Sequence, residues 1–154
     1  MKLLKKVVGF SLLFLLLACA NQPFYDVYES TANRRWHFHE KPTFQVDIED
    51  NKALYDVWVY IRHTGEYEYA NLFFLAHESG PKIQDTSHRH ELKLATPDGR
   101  WTGQSAGNLY ENRLLLKGSY AFPDTGIYHF SIEQNMRDNP LLDITDIGLK
   151  IIKK

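Results

Sequence analysis

Phe122-Pro123-Asp124-Thr125-Gly126-Ile127-Tyr128-His129-Phe130-Ser131-Ile132-Glu133-Gln134 shows the fold class most openly. At 123–126 the proline presets its own φ and the glycine tolerates a positive one, so the chain turns there. From Ile127 the period is two: Tyr128, Phe130 and Ile132 share one side, and His129, Ser131 and Glu133 the other. This is a half-buried strand entered from a turn, and the combination predicts a hairpin.

The same alternation recurs on both sides of this stretch. Phe44, Val46 and Ile48 alternate with Gln45, Asp47 and Glu49. In 54–63, Tyr55, Val57, Val59 and Ile61 form one face, and Asp56, Trp58, Tyr60 and Arg62 the other. Ile147, Leu149 and Ile151 mark a last strand, Glu91 to Leu94 another, and Phe24 to Glu29 a first. Residues 71–76 are apolar on both faces and predict a fully buried central strand. Residues 109–116 and 120–122 are extended segments, Trp101 to Gly107 reads as an ordered loop, and Met136 to Leu142 as one helical turn. The chain is irregular from Ser30 to Pro42. Nine Tyr, nine Phe and three Trp favour strands over helices. The fold class is all-β, an antiparallel β-sandwich of jelly-roll or immunoglobulin-like type built from eight or nine short strands, with a closed barrel as the alternative.

The sandwich is expected over 24–154, behind a different kind of segment. Lys2, Lys5 and Lys6 precede an almost unbroken apolar run from Val7 to Leu17, closed by Leu16-Leu17-Ala18-Cys19. The run is shorter than the roughly 20 residues a membrane-spanning helix needs. It reads as a cleaved lipoprotein signal peptide, 1–18, whose lipobox leaves Cys19 as an acylated first residue on a short tether, 19–23. Loss of the leader leaves 15 basic residues against 19 acidic ones. That balance argues against nucleic acid, which calls for a basic stripe. Cys19 is the only cysteine, so its acylation leaves no thiol for a disulfide, a metal or a nucleophile.

Phe122-Pro123-Asp124-Thr125-Gly126, Tyr128, Phe130, Ile132-Glu133-Gln134, Met136-Arg137, Pro140-Leu141 and Ile147-Gly148-Leu149 resemble GldH, the gliding-motility lipoprotein family of the Bacteroidetes. Asp26-Val27-Tyr28, Trp36, Tyr60-Ile61-Arg62, Tyr67, Tyr69, Asn71-Leu72, Asp85-Thr86 and the 99–107 stretch follow in the same order, so the resemblance covers nearly all of the mature chain. It implies a lipid-anchored component of the envelope gliding apparatus, associated with the machinery that exports and drives surface adhesins. It implies no catalytic residues and no cofactor. By the sorting that the resemblance implies, Ala20 after the anchor and a tether without an acidic run point to the outer membrane, with the domain facing the periplasm.

Chemistry-bearing residues are few. His37/His39 and His88/His90 are His-x-His pairs with acidic neighbours Glu40 and Glu91, a spacing that lets two imidazoles share a metal on a strand. Third and fourth ligands are not evident, so no metal is assigned, and His129 reads as a surface residue. Glu133 and Asp138 suggest a carboxylate pair of the glycosidase kind, but Arg137 offers a simpler role as an ion-pair partner. No phosphate loop or nucleophile elbow is present, and the chain reads as no enzyme. Trp36, Trp58 and Trp101 would serve a glycan- or peptidoglycan-binding module if they formed one platform. Trp58, Tyr60 and Arg62, with Trp101, are the candidate partner contacts, because Trp, Tyr and Arg dominate interface hot spots; a second packing layer is the plainer role for the same face. The expected partners are other gliding-motility or secretion proteins of the envelope. Replacing Cys19 with alanine is expected to abolish incorporation of labelled palmitate and to release the protein from the membrane fraction; continued labelling would exclude this anchor.

Overall fold

Strand after strand, the apolar positions of the sequence turn to one side. The computed structural model describes residues 23–154, so the leader, Cys19 and the tether up to Gln22 lie outside the described residues. Its strands are β1 (Tyr25–Ser30), β2 (Arg35–Trp36), β3 (Thr43–Ile48), β4 (Tyr55–Thr64), β5 (Asn71–Gly80), β6 (Ile83–Lys93), β7 (Gln104–Ala106), β8 (Leu109–Tyr120), β9 (Gly126–Gln134), β10 (Leu141–Leu142) and β11 (Ile144–Lys153). Phe44, Val46 and Ile48 of β3, Tyr55, Val57, Val59 and Ile61 of β4, Tyr128, Phe130 and Ile132 of β9, and Ile147, Leu149 and Ile151 of β11 all face inward and are buried.

The strands form two antiparallel sheets that face each other. One has the order β1-β11-β4-β8-β7, the other β3-β9-β5-β6, and β2 and β10 make a separate two-stranded ribbon. Leaving out short β7, the two orders are those of a jelly roll, in which the chain repeatedly crosses from one sheet to the other. This decides between the two sandwiches named above, and both sheets stay open rather than closing into a barrel. At one edge β1 is held to β11 by six register pairs, from Tyr25↔Ile151 to Ser30↔Asp146.

The crossings explain why the turn at 123–126 makes no hairpin. The chain does reverse there, with Gly126 at φ +127°, but β8 and β9 belong to different sheets. Phe122, 1% exposed, carries the chain across between the sheets. Its ring lies 5.3 Å from Tyr55, 5.0 Å from Tyr120 and 4.6 Å from Tyr128. The Tyr128 hydroxyl accepts from Asp124 N–H (3.2 Å) and lies 2.8 Å from the Asp124 carbonyl, which ties the crossing down. The two-residue hairpins are elsewhere: Pro81-Lys82 joins β5 to β6, and Gly107-Asn108 joins β7 to β8 with Gly107 at φ +63°.

Three further expectations are corrected. β5 lies inside its sheet but is buried on one face only: Leu72, Phe74 and Ala76 point inward, while Phe73 and Leu75 are half-buried on the outer face. The Arg89 guanidinium covers Phe73 at 3.9 Å from its centroid, and so an apolar residue persists there. The 101–107 stretch contains a strand, β7, in place of a loop. Residues 136–142 form no helical turn; Leu141 pairs with Trp36 in the β2–β10 ribbon. The buried Gln134 side chain donates to the carbonyls of Trp36 (3.4 Å) and Asp138 (3.0 Å) and accepts from Met136 N–H (3.0 Å), supplying bonds that a helix would make through its backbone.

Phe122→Ala removes the ring on which the inter-sheet contact turns and is expected to cost about 3–5 kcal/mol, read as a lowered urea midpoint with an unchanged slope. A loss below about 1 kcal/mol would show that the crossing does not depend on this ring.

Candidate functional site

The outer face of the β1-β11-β4-β8 sheet gathers the aromatic and cationic residues. Register aligns Asp26, Lys150, Trp58 and Leu115 in one row across it, and Tyr28, Gly148, Tyr60 and Arg113 in the next. A third row runs through Ser30, Asp146, Arg62 and Glu111. Gly148 makes the second row possible, because a Cβ there would lie 2.6 Å from the Tyr28 ring. Without it Tyr28 lies over the β11 backbone and meets Tyr60 edge-on at 6.1 Å.

Cations cover the rings. Arg62 lies 4.0 Å over Tyr28, Lys150 4.6 Å over Tyr60 and Arg113 5.0 Å over Trp58. Arg62 Nε also donates to Glu111 Oε2 at 2.6 Å, and the Tyr28 hydroxyl donates to the same oxygen at 3.1 Å. Burial first, and then the Glu111 carboxylate, push the Tyr28 hydroxyl far above the usual phenol range. It therefore stays a donor. Lys150 pairs with Asp26 at 3.0 Å. Tyr60 is nearly covered, at 5% exposure, so it forms an underlayer, while Trp58, Arg62, Arg113 and Leu115 make the accessible surface. Among the described residues the buried Trp58 indole N–H has no acceptor.

Trp101 is elsewhere. It packs against His63 (4.7 Å), Tyr110 (6.0 Å) and Tyr67 (6.3 Å) at one end of the sandwich. Trp36 lies fully buried in the core, its N–H donating to the Glu40 carbonyl at 2.8 Å. Three tryptophans in three places make no common stacking platform. Sequence reading missed Tyr28, Gly148, Lys150, Arg113 and Glu111. Asp146, Gly148 and Lys150 do alternate with the apolar residues of β11, which marks their face, but only register shows that they adjoin Tyr60.

The remaining candidates disperse as well. His37 and His39 have rings 5.2 Å apart but lie off the strands, and His37 N–H donates to Glu40 Oε2. His88 and His90 share one face of β6, where His90 stacks on Phe74 at 5.4 Å. Among the described residues no group of three or more His, Cys, Asp or Glu is arranged to hold a metal ion. Glu133 binds Lys41 (2.7 Å) and His77 (2.9 Å), and Lys41 leads in holding its carboxyl below the usual range. Asp138 instead accepts from Tyr69, and among the described residues Arg137 pairs with neither acid. His129 lines an outer-face cleft of the other sheet together with Lys41 and His77.

The GldH lipoprotein family model matches residues 23–151, nearly all of the described domain. The chain belongs to the GldH lipoprotein family. A "Gliding motility lipoprotein GldH homolog" of Christiangramia forsetii is 32% identical over 148 residues, covering 92% of this chain and 90% of that one. A "Gliding motility lipoprotein GldH" of Flavobacterium johnsoniae is 28% identical over 147 residues, covering 91% of each. Two solved structures overlap weakly: the VP2 subviral particle of infectious bursal disease virus (TM-score 0.35, 13% identity, 84% of this chain and 32% of that one) and the Eiger TNF of S. frugiperda (TM-score 0.31, 10% identity, 84% and 92%). The GldH jelly roll rests on its own strand order.

In this GldH-family domain the Trp101 cluster closes around a neutral imidazole. His63 is fully buried; the hydrogen-bond network assigns its Nδ1–H to the Thr64 carbonyl (2.8 Å) and lets Nε2 accept from Asn112 Nδ2 (3.2 Å). Burial holds its pKa below the ordinary histidine value of about 6.5, outweighing the Thr64 hydrogen bond. Between the lowered folded value and the ordinary unfolded one, the unfolded chain binds more protons. His63 therefore supports stability fully above about pH 6.5 and loses that support as pH falls towards its folded pKa. His90, also lowered by burial, acts in the same direction. The urea midpoint is expected to fall between about pH 7.5 and 5, and His63→Gln to flatten that fall; an equal slope in the variant would acquit His63.

Proposed function

We propose that this chain is a non-enzymatic, lipid-anchored component of the gliding-motility machinery. It is held at the outer membrane through Cys19 with the domain facing the periplasm, and it supports assembly or stability of a complex of envelope proteins, and through it the movement of surface adhesins. The names of the GldH relatives support the motility role. The observation that carries the docking role is the outer face of the β1-β11-β4-β8 sheet. There Arg62, Lys150 and Arg113 are each stacked on an aromatic ring, and Trp58 and Leu115 are accessible between them. Long cationic side chains already held against rings lose less rotamer freedom when a partner arrives, so the face is pre-organised for binding.

The glycan- or peptidoglycan-binding reading had its sequence support in three tryptophans, and their dispersal leaves the protein-contact reading ahead. From Cys19 to Tyr25 an extended chain reaches about 20 Å. Such a tether keeps the docking face close to the membrane surface, where other anchored proteins are concentrated.

Crosslinked affinity purification from the organism's own envelope tests the reading. Wild-type protein is expected to recover other gliding or secretion components. Trp58→Ala and Arg113→Glu, the latter on an exposed side chain that leaves folding intact, are each expected to lower recovery by about tenfold or more. Undiminished recovery with both variants would move the contact to another surface, and recovery of cell-wall sugar in place of protein would favour the glycan module.

A further inference from the structure

Beside the docking face the structure leaves a lane open. β7 pairs with β8 only through Gln104↔Glu111, Ser105↔Tyr110 and Ala106↔Leu109. At Gly103 the chain peels away towards the Ala95↔Trp101 bridge. Gly103 takes φ +87°, and a Cβ there would lie 2.2 Å from the Glu111 carbonyl, so the departure needs a glycine. Among the described residues β8 is paired with β4 alone from Asn112 to Leu115, up to a bulge at Leu116. Where β7 ends, a cleft of about 570 Å³ opens, lined on β8 by Glu111, Asn112 and Arg113 and reaching over the outer face to Tyr60 and Lys150. An unpaired stretch of strand edge is a template for an added strand, with the backbone supplying affinity and alternate side chains supplying selectivity.

The charge of the cleft identifies what fits it. Its walls carry Lys93 from β6, Arg113 from β8 and Lys150 from β11, the last already paired with Asp26. Its one carboxylate, Glu111, is already bound by Arg62 and the Tyr28 hydroxyl. Among the described residues Lys93 and Arg113 have no acidic partner, although the domain supplies one to most of its cations: Arg34, Lys41, Lys82, Arg100, Lys117, Lys153 and Lys154 are all ion-paired. The chain as a whole is slightly acidic, so the cleft inverts the local sign of charge. Gln104, at the start of β7, also lines the cleft and brings the donor and acceptor of its amide.

We propose that this cleft receives an extended acidic segment of a partner protein, which adds to the sheet in line with β7. Its backbone pairs with Asn112 to Leu115, and its Asp or Glu side chains meet Arg113 and Lys150 on the outer side and Lys93 on the opposite wall. The inference rests on the protein-docking reading above and names the chemistry of the partner. Charge-assisted bonds from arginine and lysine to carboxylates fix the register of such a strand, and their steering falls with salt.

The test uses the full lipidated protein in detergent and a fluorescent peptide of alternating glutamate and valine, read by anisotropy. Expected are saturable binding, a loss of about tenfold or more in Lys93→Glu and in Arg113→Glu, and weakening as salt rises from about 50 to 500 mM. N-methylation of alternate peptide amides is expected to abolish binding, whereas Lys52→Glu, an exposed cation in the β3–β4 turn, leaves it unchanged. Equal binding of a lysine–valine peptide, an equal effect of Lys52→Glu, or indifference to N-methylation would overturn the proposal. So would tighter, Arg113-dependent binding of an acidic oligosaccharide, which would assign the cleft to a glycan. Failure here with envelope partners still recovered in a Trp58-dependent way would remove the acidic strand and leave the docking face standing.

Discussion

Phe122 is held between Tyr55 of one sheet and Tyr128 and Phe130 of the other, and this contact sets how the sheets meet. Each buried aromatic removes some 150–250 Å² from water and prefers tilted or edge-on neighbours over random contact. The ring therefore supplies both energy and orientation at the point where the chain leaves one sheet for the other. With that crossing in place, β8 and β9 line opposite layers and their outer faces look away from each other. The cation–aromatic stack then belongs to one side of the molecule, and the hydroxyl- and histidine-lined cleft with Lys41, His77 and His129 to the other.

The interior was legible in the sequence because a period of two is a local property. The inward residues of β3, β4, β9 and β11 could be read from their own segments without knowing their partners. Pairing is not local in this way. Pro123 to Gly126 reports that the chain turns and cannot report which strand it will next lie beside. Polar edge strands escape for another reason: Ile83 to His90 has no apolar rhythm because β6 has a neighbour on one side only and its side chains are largely exposed. At 136–142 the expected helical turn gives way to an irregular path beside one buried side chain, Gln134, whose amide takes up backbone groups from three residues.

The surface site divides along the same line. Trp58, Tyr60 and Arg62 share a face because they alternate on one strand, and this much follows from their spacing. Tyr28 lies more than thirty positions from Tyr60 in the chain and reaches it only because β11 comes between them with a glycine at the contact. Trp101 shows the opposite error: its residue type resembles a contact residue, but distant neighbours, His63, Tyr67 and Tyr110, draw it into an end cluster. Residue type nominates a surface residue, and register decides whether it has company.

The β1–β11 ladder has a mechanical side. The chain enters β1 at Tyr25, and its six pairs run from there to Ser30, where Ser30 Oγ bonds Asp146 at 2.6 Å and Thr31 Oγ1 bonds the Ile144 carbonyl at 2.5 Å. A pull on Tyr25 directed along the strand would load the six rungs together in shear, whereas a pull across the strand would peel them one after another. An edge strand, ordinarily the weak margin of a sheet, thus becomes a clasp that resists force along its length better than force across it.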